Sequence, residues 1–236
     1  MTAADQPIEP PWWTPRKNAG PRRALNREVI LTAARKILRA EGIDGLSMRR
    51  LATELGTGPA SLYAHVANKE ELLDLLFDQV TGEVPLPEPD PTRWREQLTT
   101  LWTTAHAILI ENGDIARVAL GRVPLGPNAL NVTELTSALL CSAGIPPQAV
   151  AWALDAMALY VASSALESAI NAAMEREGTP PEEYYARVGD YMRGLPRARY
   201  PAMAEIVEEL SNGDRQERFA FGLELLIRGL ETHIEK

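Results

Sequence analysis

Prolines stand at every second position from 85 to 91. No helix or central strand survives that spacing, because each proline removes a backbone N–H and its ring clashes with the preceding turn. The chain must pass from one folded part to another here. On both sides the apolar residues recur near the 3.6-residue helical period, and alanine and leucine far outnumber valine and isoleucine, which strands favour. An all-α protein is expected, with a small head over 26–84, a Pro-rich linker over 85–91 and a larger helical body over 92–236. Residues 1–25, with five prolines and no helical period, read as a flexible basic arm.

Charge divides the chain at nearly the same place. The overall net charge is −8, yet residues 1–70 are net +4 and residues 71–236 net −12. A basic head on an acidic body suits contact with a polyanion through the head alone. A single cysteine, Cys141, excludes a disulfide framework and any CxxC site. The longest uncharged run, Leu135 to Leu154, is broken by Gly144, Pro146 and Pro147 into pieces too short to cross a bilayer. No signal-peptide stretch opens the chain, so a cytoplasmic protein with no membrane partner is expected.

The head carries its own punctuation. Asn26 is a good N-cap for a helix running to Gly42, Ser47 for a second ending at Gly56, and Pro59 opens a short third. Asn68, with Glu71 three residues on, caps a fourth helix reaching Glu83. Small Ala52 where two helices would cross, Gly56 at the turn and Leu62 pointing back into the core have the spacing of a DNA-binding helix-turn-helix. Ser61, Tyr63, His65 and Lys69 place donors around the short helix, suited to phosphate contacts, and Ala60 can touch a thymine methyl. Arg22 and Arg23 of the arm are placed to reach the DNA backbone or minor groove.

The run from Gly45 to Leu73, and above all Ser61-Leu-Tyr-x-His-Val-x-Asn-Lys69, resembles the TetR family of one-component repressors, on its tetracycline repressor branch. Similarity returns in Ala119-Leu-Gly-Arg-Val-Pro124 and in Gly222-Leu-Glu-Leu-Leu-Ile-Arg-Gly-Leu230, which is similar to that branch's dimerisation helix. The resemblance implies a homodimer whose heads bind a near-palindromic double-stranded operator and whose bodies each hold an inducer, with Arg49 where the family sets an arginine on a guanine edge. Two departures limit it. Pro59-Ala60-Ser61 lacks the branch's base-reading glutamine, so its operator is not carried over. Ala119 stands where the branch has a metal-coordinating histidine, so neither a metal nor magnesium–tetracycline is carried over, although Glu167 matches an acidic position of that site.

In the body, helices fit residues 114–120, 128–143, 147–177, 182–194, 201–211 and 214–234, after a first helix from Trp94 to Asn112. Trp102, His106, Trp152, Met157, Tyr160 and Glu167 are candidates for an inducer pocket, with core packing the other explanation for the apolar ones and for His106. Only Glu134 and Asp155 are charged between Val123 and Leu166, so a mostly apolar cavity taking a small hydrophobic molecule is expected. Ala149, Ala153 and Ala156, with Gly222, Leu223, Leu226, Gly229 and Leu230, form two smooth stripes for a four-helix dimer interface. No cofactor is expected: Gly-Thr-Gly-Pro-Ala-Ser at 56–61 follows a helix and lacks the third glycine of a dinucleotide loop. With no HExxH, GxSxG or P-loop, an enzyme on a helical scaffold is the remote alternative, and a DNA-binding dimer without an inducer the nearer one.

Overall fold

The computed structural model describes residues 25–234, so the arm basic residues Arg22 and Arg23 lie outside the described residues. Within that range eleven α-helices and two short 3-10 turns follow one another without a strand. The head comprises α1 (Arg27–Gly45), α2 (Met48–Glu54), α3 (Pro59–Tyr63) and α4 (Lys69–Thr81). Each N-cap works as its residue type demands. Asn26 accepts from Val29 N at 2.9 Å, Ser47 from Arg50 N at 3.1 Å and Asn68 from Glu71 N at 2.8 Å.

The first helix runs three residues past Gly42, but Gly42 breaks it with φ 72° and ψ −178°, a backbone that side chains other than glycine rarely adopt. Ile30 and Ala34 of α1, Leu51 of α2, Leu62 of α3, and Leu72 and Leu76 of α4 are fully buried and make the head's core. Each buried leucine or isoleucine contributes about 1.5–3 kcal/mol, which is how so short a helix as α3 is held in place.

The prolines from 85 to 89 form an irregular strap, tied down where Gln97 accepts from Asp90 N at 2.7 Å and donates to Glu88 O at 2.8 Å. Beyond it come α5 (Trp94–Glu111), α6 (Ile115–Gly121), α7 (Pro127–Ser142), α8 (Pro147–Arg176), α9 (Pro181–Arg193), α10 (Pro201–Ile206) and α11 (Arg215–Glu231). By length and mean hydropathy α8 could cross a membrane. It is instead the axis of the body, with α5, α6, α7 and α11 packed around it. The helix expected over 201–211 stops at Ile206, and only a 3-10 turn follows at Glu209–Ser211. Glu205, Glu208 and Glu209 would crowd the negative end of a longer helix dipole.

Head and body meet along α4, which packs on α6 and α7. The Asp78 carboxylate of α4 accepts from the Asn128 and Ala129 amides at 3.0 and 3.1 Å, capping α7 from across the joint. A Cβ on Gly126 would stand 2.2 Å from that carboxylate, so glycine is what permits the approach.

Candidate nucleic-acid interface and ligand cleft

The turn between α2 and α3 is closed by Gly56 at φ 61° and by Thr57 N donating to Ala52 O at 2.9 Å. That geometry sinks Leu62 to zero exposure and leaves Ala60, Ser61 and Tyr63 facing outward, Tyr63 at 51%. Two adjacent arginines then part company. Arg50 is held by Glu41 at 2.7 Å and by Glu54 at 2.9 Å, so both carboxylates favour its charged form. Arg49 is exposed and makes no ion pair with any described residue. The scaffold consumes one guanidinium and leaves the other exposed.

Lys69, the expected phosphate contact, is engaged within the head. It is half-buried, and its ammonium donates to Ile43 O at 3.1 Å, bracing the kinked end of α1. His65 is half-buried, and its backbone carbonyl accepts from Arg27 at 3.4 Å. Sequence patterning recognises a lysine beside a helix start; it carries no information on which carbonyl the ammonium will find.

In the body, α5 and α8 are joined by His106 Nε2, 2.9 Å from Ser164 Oγ. The imidazole stacks on Phe219 of α11 at 3.7 Å with the planes 5° apart, and Tyr160 stacks on Phe219 at 5.5 Å. Burial against these rings lowers the His106 pKa to about 4, so it is neutral near pH 7. Tyr160 donates to the carbonyls of Arg218 and Phe219 at 3.2 and 3.0 Å, fixing the first turns of α11 against α8.

A cleft of about 270 Å³ opens beside this stack, lined by Tyr160, Ser163, Ser164, Glu167 and Ser168 of α8 and by Arg215, Arg218 and Phe219 of α11. Of the six expected pocket residues, Tyr160 and Glu167 are in it. His106 lies behind Ser164, and Trp102 is buried one turn from His106. Met157 is core at 1% exposure, and Trp152 is 69% exposed on the outside of α8. The lining sets Ser163, Ser164, Ser168, Glu167, Arg215 and Arg218 beside the rings of Tyr160 and Phe219. Ser164 and Ser168, one turn apart on α8, meet the first turn of α11, and that meeting is a tertiary event the helical period of either segment does not reveal.

The chain matches the family model described as "Bacterial regulatory proteins, tetR family" over residues 30–76 and that described as "Tetracyclin repressor-like, C-terminal domain" over residues 86–234. It is 34% identical to the HTH-type transcriptional repressor DrrR1 of Streptomyces coeruleorubidus, over 94% of this chain and 83% of the relative. The chain belongs to the TetR family. It is a helix-turn-helix transcriptional regulator. Among curated relatives, the class G tetracycline repressor protein of Vibrio anguillarum is 30% identical over 88% of this chain and 94% of its own. Among solved structures, the TetR family protein ActR of Streptomyces coelicolor in complex with actinorhodin superposes with a TM-score of 0.82 at 39% identity, covering 91% of this chain and 99% of that one.

In this TetR family regulator the stripes expected at a dimer interface largely face inward. Ala153, Leu223 and Leu230 are buried in the chain's own core, with Ala149 and Leu226 half-buried against it. Gly222 is accounted for within the chain, because a Cβ there would stand 2.2 Å from the Tyr160 hydroxyl. Ala156 and Gly229 remain outward. The large exposed apolar side chains on these two helices are Trp152, Leu159, Ile170, Phe221 and Leu225, 48–69% exposed, none of which belongs to the expected stripes. The reason is that α8 and α11 carry apolar residues on more than one face, and a period identifies a face only when its opposite is polar.

Proposed function

We propose that this regulator is a ligand-responsive repressor that binds a near-palindromic operator as a homodimer. Arg49, Ala60, Ser61 and Tyr63 form the reading face, and operator release follows when a small organic molecule enters the cleft between α8 and α11. The observation that carries the DNA half is the release of Arg49 from the scaffold while Arg50 is bound into it. An exposed guanidinium beside a short helix suits bidentate contact with a guanine edge. The resemblance of ActR, described in complex with actinorhodin, and of a TetR variant from Acinetobacter baumannii described in complex with minocycline, supports the ligand half.

The route between the two sites is continuous. The α6 helix packs on α8 and is gripped at both ends by the head. At its start Asp114 accepts from Ile43 N, and just past its end Arg122 pairs with Glu70 and Asp74 of α4. A ligand that displaces α8 or α11 would shift α6 and with it the separation of the two reading heads. It can bias that balance only by its different affinity for the two arrangements. In a dimer matched to successive major grooves, the recognition helices stand about 34–36 Å apart.

Ser164 and His106 at 2.9 Å have the separation of a nucleophile and its base, which is the one observation favouring catalysis. The chemistry argues against it. A base with a pKa near 4 holds a proton poorly at neutral pH. Ser164 is in the middle of a 30-residue helix, whose interior N–H groups are committed to the helix and offer no oxyanion hole. Operator release in a gel-shift titration, with the operator first selected from random duplexes, tests the proposal: a chain that selects no duplex is not a repressor.

A further inference from the structure

A second cavity, larger than the cleft between α8 and α11, belongs to the head. This groove of about 670 Å³ is lined by Thr32, Arg35, Lys36, Arg39 and Ala40 of α1 and by Gln79 of α4. The five α1 positions recur in steps of three and four residues through two turns, so they form one helical face. Three of the six lining side chains are cationic and none is a carboxylate. Two of the cations have partners beside the groove. Arg35 pairs with Glu83 and donates from Nε to Asn112 Oδ1 at 2.6 Å, and Lys36 pairs with Glu54 at 2.7 Å. Arg39 is exposed and makes no ion pair with any described residue. In the opposite wall Gln79 is half-buried, and its Oε1 finds no donor among the described residues. The groove borders the joint with the body through Arg35 and Asn112, and it shares no residue with the reading face of Arg49, Ala60, Ser61 and Tyr63.

We infer that this groove binds an organic phosphate of nucleotide size, at a site separate from the cleft of the body. Lys36 and Arg39, three residues apart on one face, hold the phosphate oxygens by charge-assisted hydrogen bonds. Arg39 supplies a planar pair of donors and Lys36 a mobile point charge. The ion pair of Lys36 with Glu54 is no obstacle, because the lysine is largely exposed and a surface pair of this kind exchanges readily for a multiply charged anion. Arg35 adds a third positive charge to the same wall. The volume lies within the range of small-molecule sites, roughly 300–1,000 Å³, and is far more than a phosphate ion fills. The remainder of the ligand lies along Thr32 and Ala40, and its hydroxyl groups supply the donor that Gln79 Oε1 lacks.

The test is a calorimetric titration of the full chain with ATP in magnesium-free buffer and, separately, with adenosine and with inorganic tripolyphosphate, repeated on the K36Q/R39Q and A40E variants. All three substituted positions are exposed, and A40E leaves the ion pairs of Arg35 and Lys36 in place while adding a carboxylate to the groove. The expected result is saturable binding of ATP, tighter than that of tripolyphosphate, with none of adenosine. Each variant should weaken ATP binding at least about tenfold with helix content retained. No saturable binding of ATP, adenosine binding as tightly as ATP, or an affinity unchanged in either variant overturns the inference. Tripolyphosphate binding as tightly as ATP overturns the organic part of the ligand. Arg49→Ala should leave ATP binding unchanged; a loss there would assign the phosphate to the DNA-reading face and overturn the site. A groove that is instead a DNA-backbone contact would show a reduced salt slope on random duplex in K36Q/R39Q and no saturation by ATP.

Discussion

The amide of Ile43 donates to the Asp114 carboxylate at 2.9 Å, across the joint between the head and the ligand-holding body. Gly42 makes the approach possible, since a Cβ there would stand 2.8 Å from the same carboxylate oxygen, and Lys69 holds the Ile43 carbonyl from the other side. The backbone of one residue, Ile43, is thus held on its N–H side by the residue that opens α6 and on its C=O side by α4. Asp114→Ala should remove the acceptor of a half-buried N–H and lower stability by about 1–3 kcal/mol. It should also blunt ligand-induced release more than it changes operator affinity. Denaturant unfolding and paired gel-shift titrations check both parts, and a variant that releases as readily as the parent removes the clamp from the mechanism.

Lys69→Ala separates a bracing role from a phosphate contact. A lysine that neutralises a phosphate reduces the salt slope of binding by about one when removed. Because its ammonium is engaged by Ile43 O, the expected outcome is an unchanged salt slope with lowered thermal stability. A slope reduced by about one would show that the lysine leaves Ile43 when DNA arrives.

His106 makes a pH prediction. Its pKa is lowered from 6.5 to about 4 by burial, so the unfolded chain takes up a proton between those values while the folded chain does not. Stability is therefore fully present above pH 6.5 and falls as pH drops towards 4, by on the order of 2 kcal/mol from this residue. His106→Gln should flatten that part of the profile in chemical denaturation from pH 7 to pH 4. An identical slope in both proteins would place the titration elsewhere.

The outer faces of α8 and α11 predict how the chains pair. Phe221→Glu and Leu225→Glu should give monomers by light scattering with the helix content retained, because both side chains are exposed in the single chain. Leu223→Glu should unfold it, since Leu223 is 1% exposed and a carboxylate there would be buried without a partner. A dimer that survives both outer substitutions would assign the interface to another surface.

These outcomes mark where sequence stops speaking. The head is legible residue by residue because its signals are local: Asn26, Ser47 and Asn68 each cap the helix they precede, and Gly56 allows the turn that sinks Leu62. The body is legible as helices but not as faces. Along α8, Met157 is core and Trp152 is outside, although both are large apolar residues little more than one turn apart. Of the cleft, a sequence reading reaches Tyr160 and Glu167 but not its α11 wall, because Ser164 and Arg218 are 54 residues apart in the chain and meet only when α11 docks on α8. The choice between Arg49 and Arg50 for DNA came from family resemblance; its physical reason, the capture of Arg50 by Glu41 and Glu54, appears only in three dimensions.

The central claim is that an exposed Arg49 reads a base in a specific operator. Equilibrium titration of the parent, Arg49→Ala and Arg50→Ala against the selected operator and a random duplex of equal length tests it most directly. The account predicts that Arg49→Ala loses about 1–3 kcal/mol on the operator and little on random DNA, with an unchanged melting temperature. Arg50→Ala should instead lower the melting temperature through the loss of Glu41 and Glu54 as partners. Equal losses on operator and random duplex for Arg49→Ala would contradict the assignment of that guanidinium to base recognition.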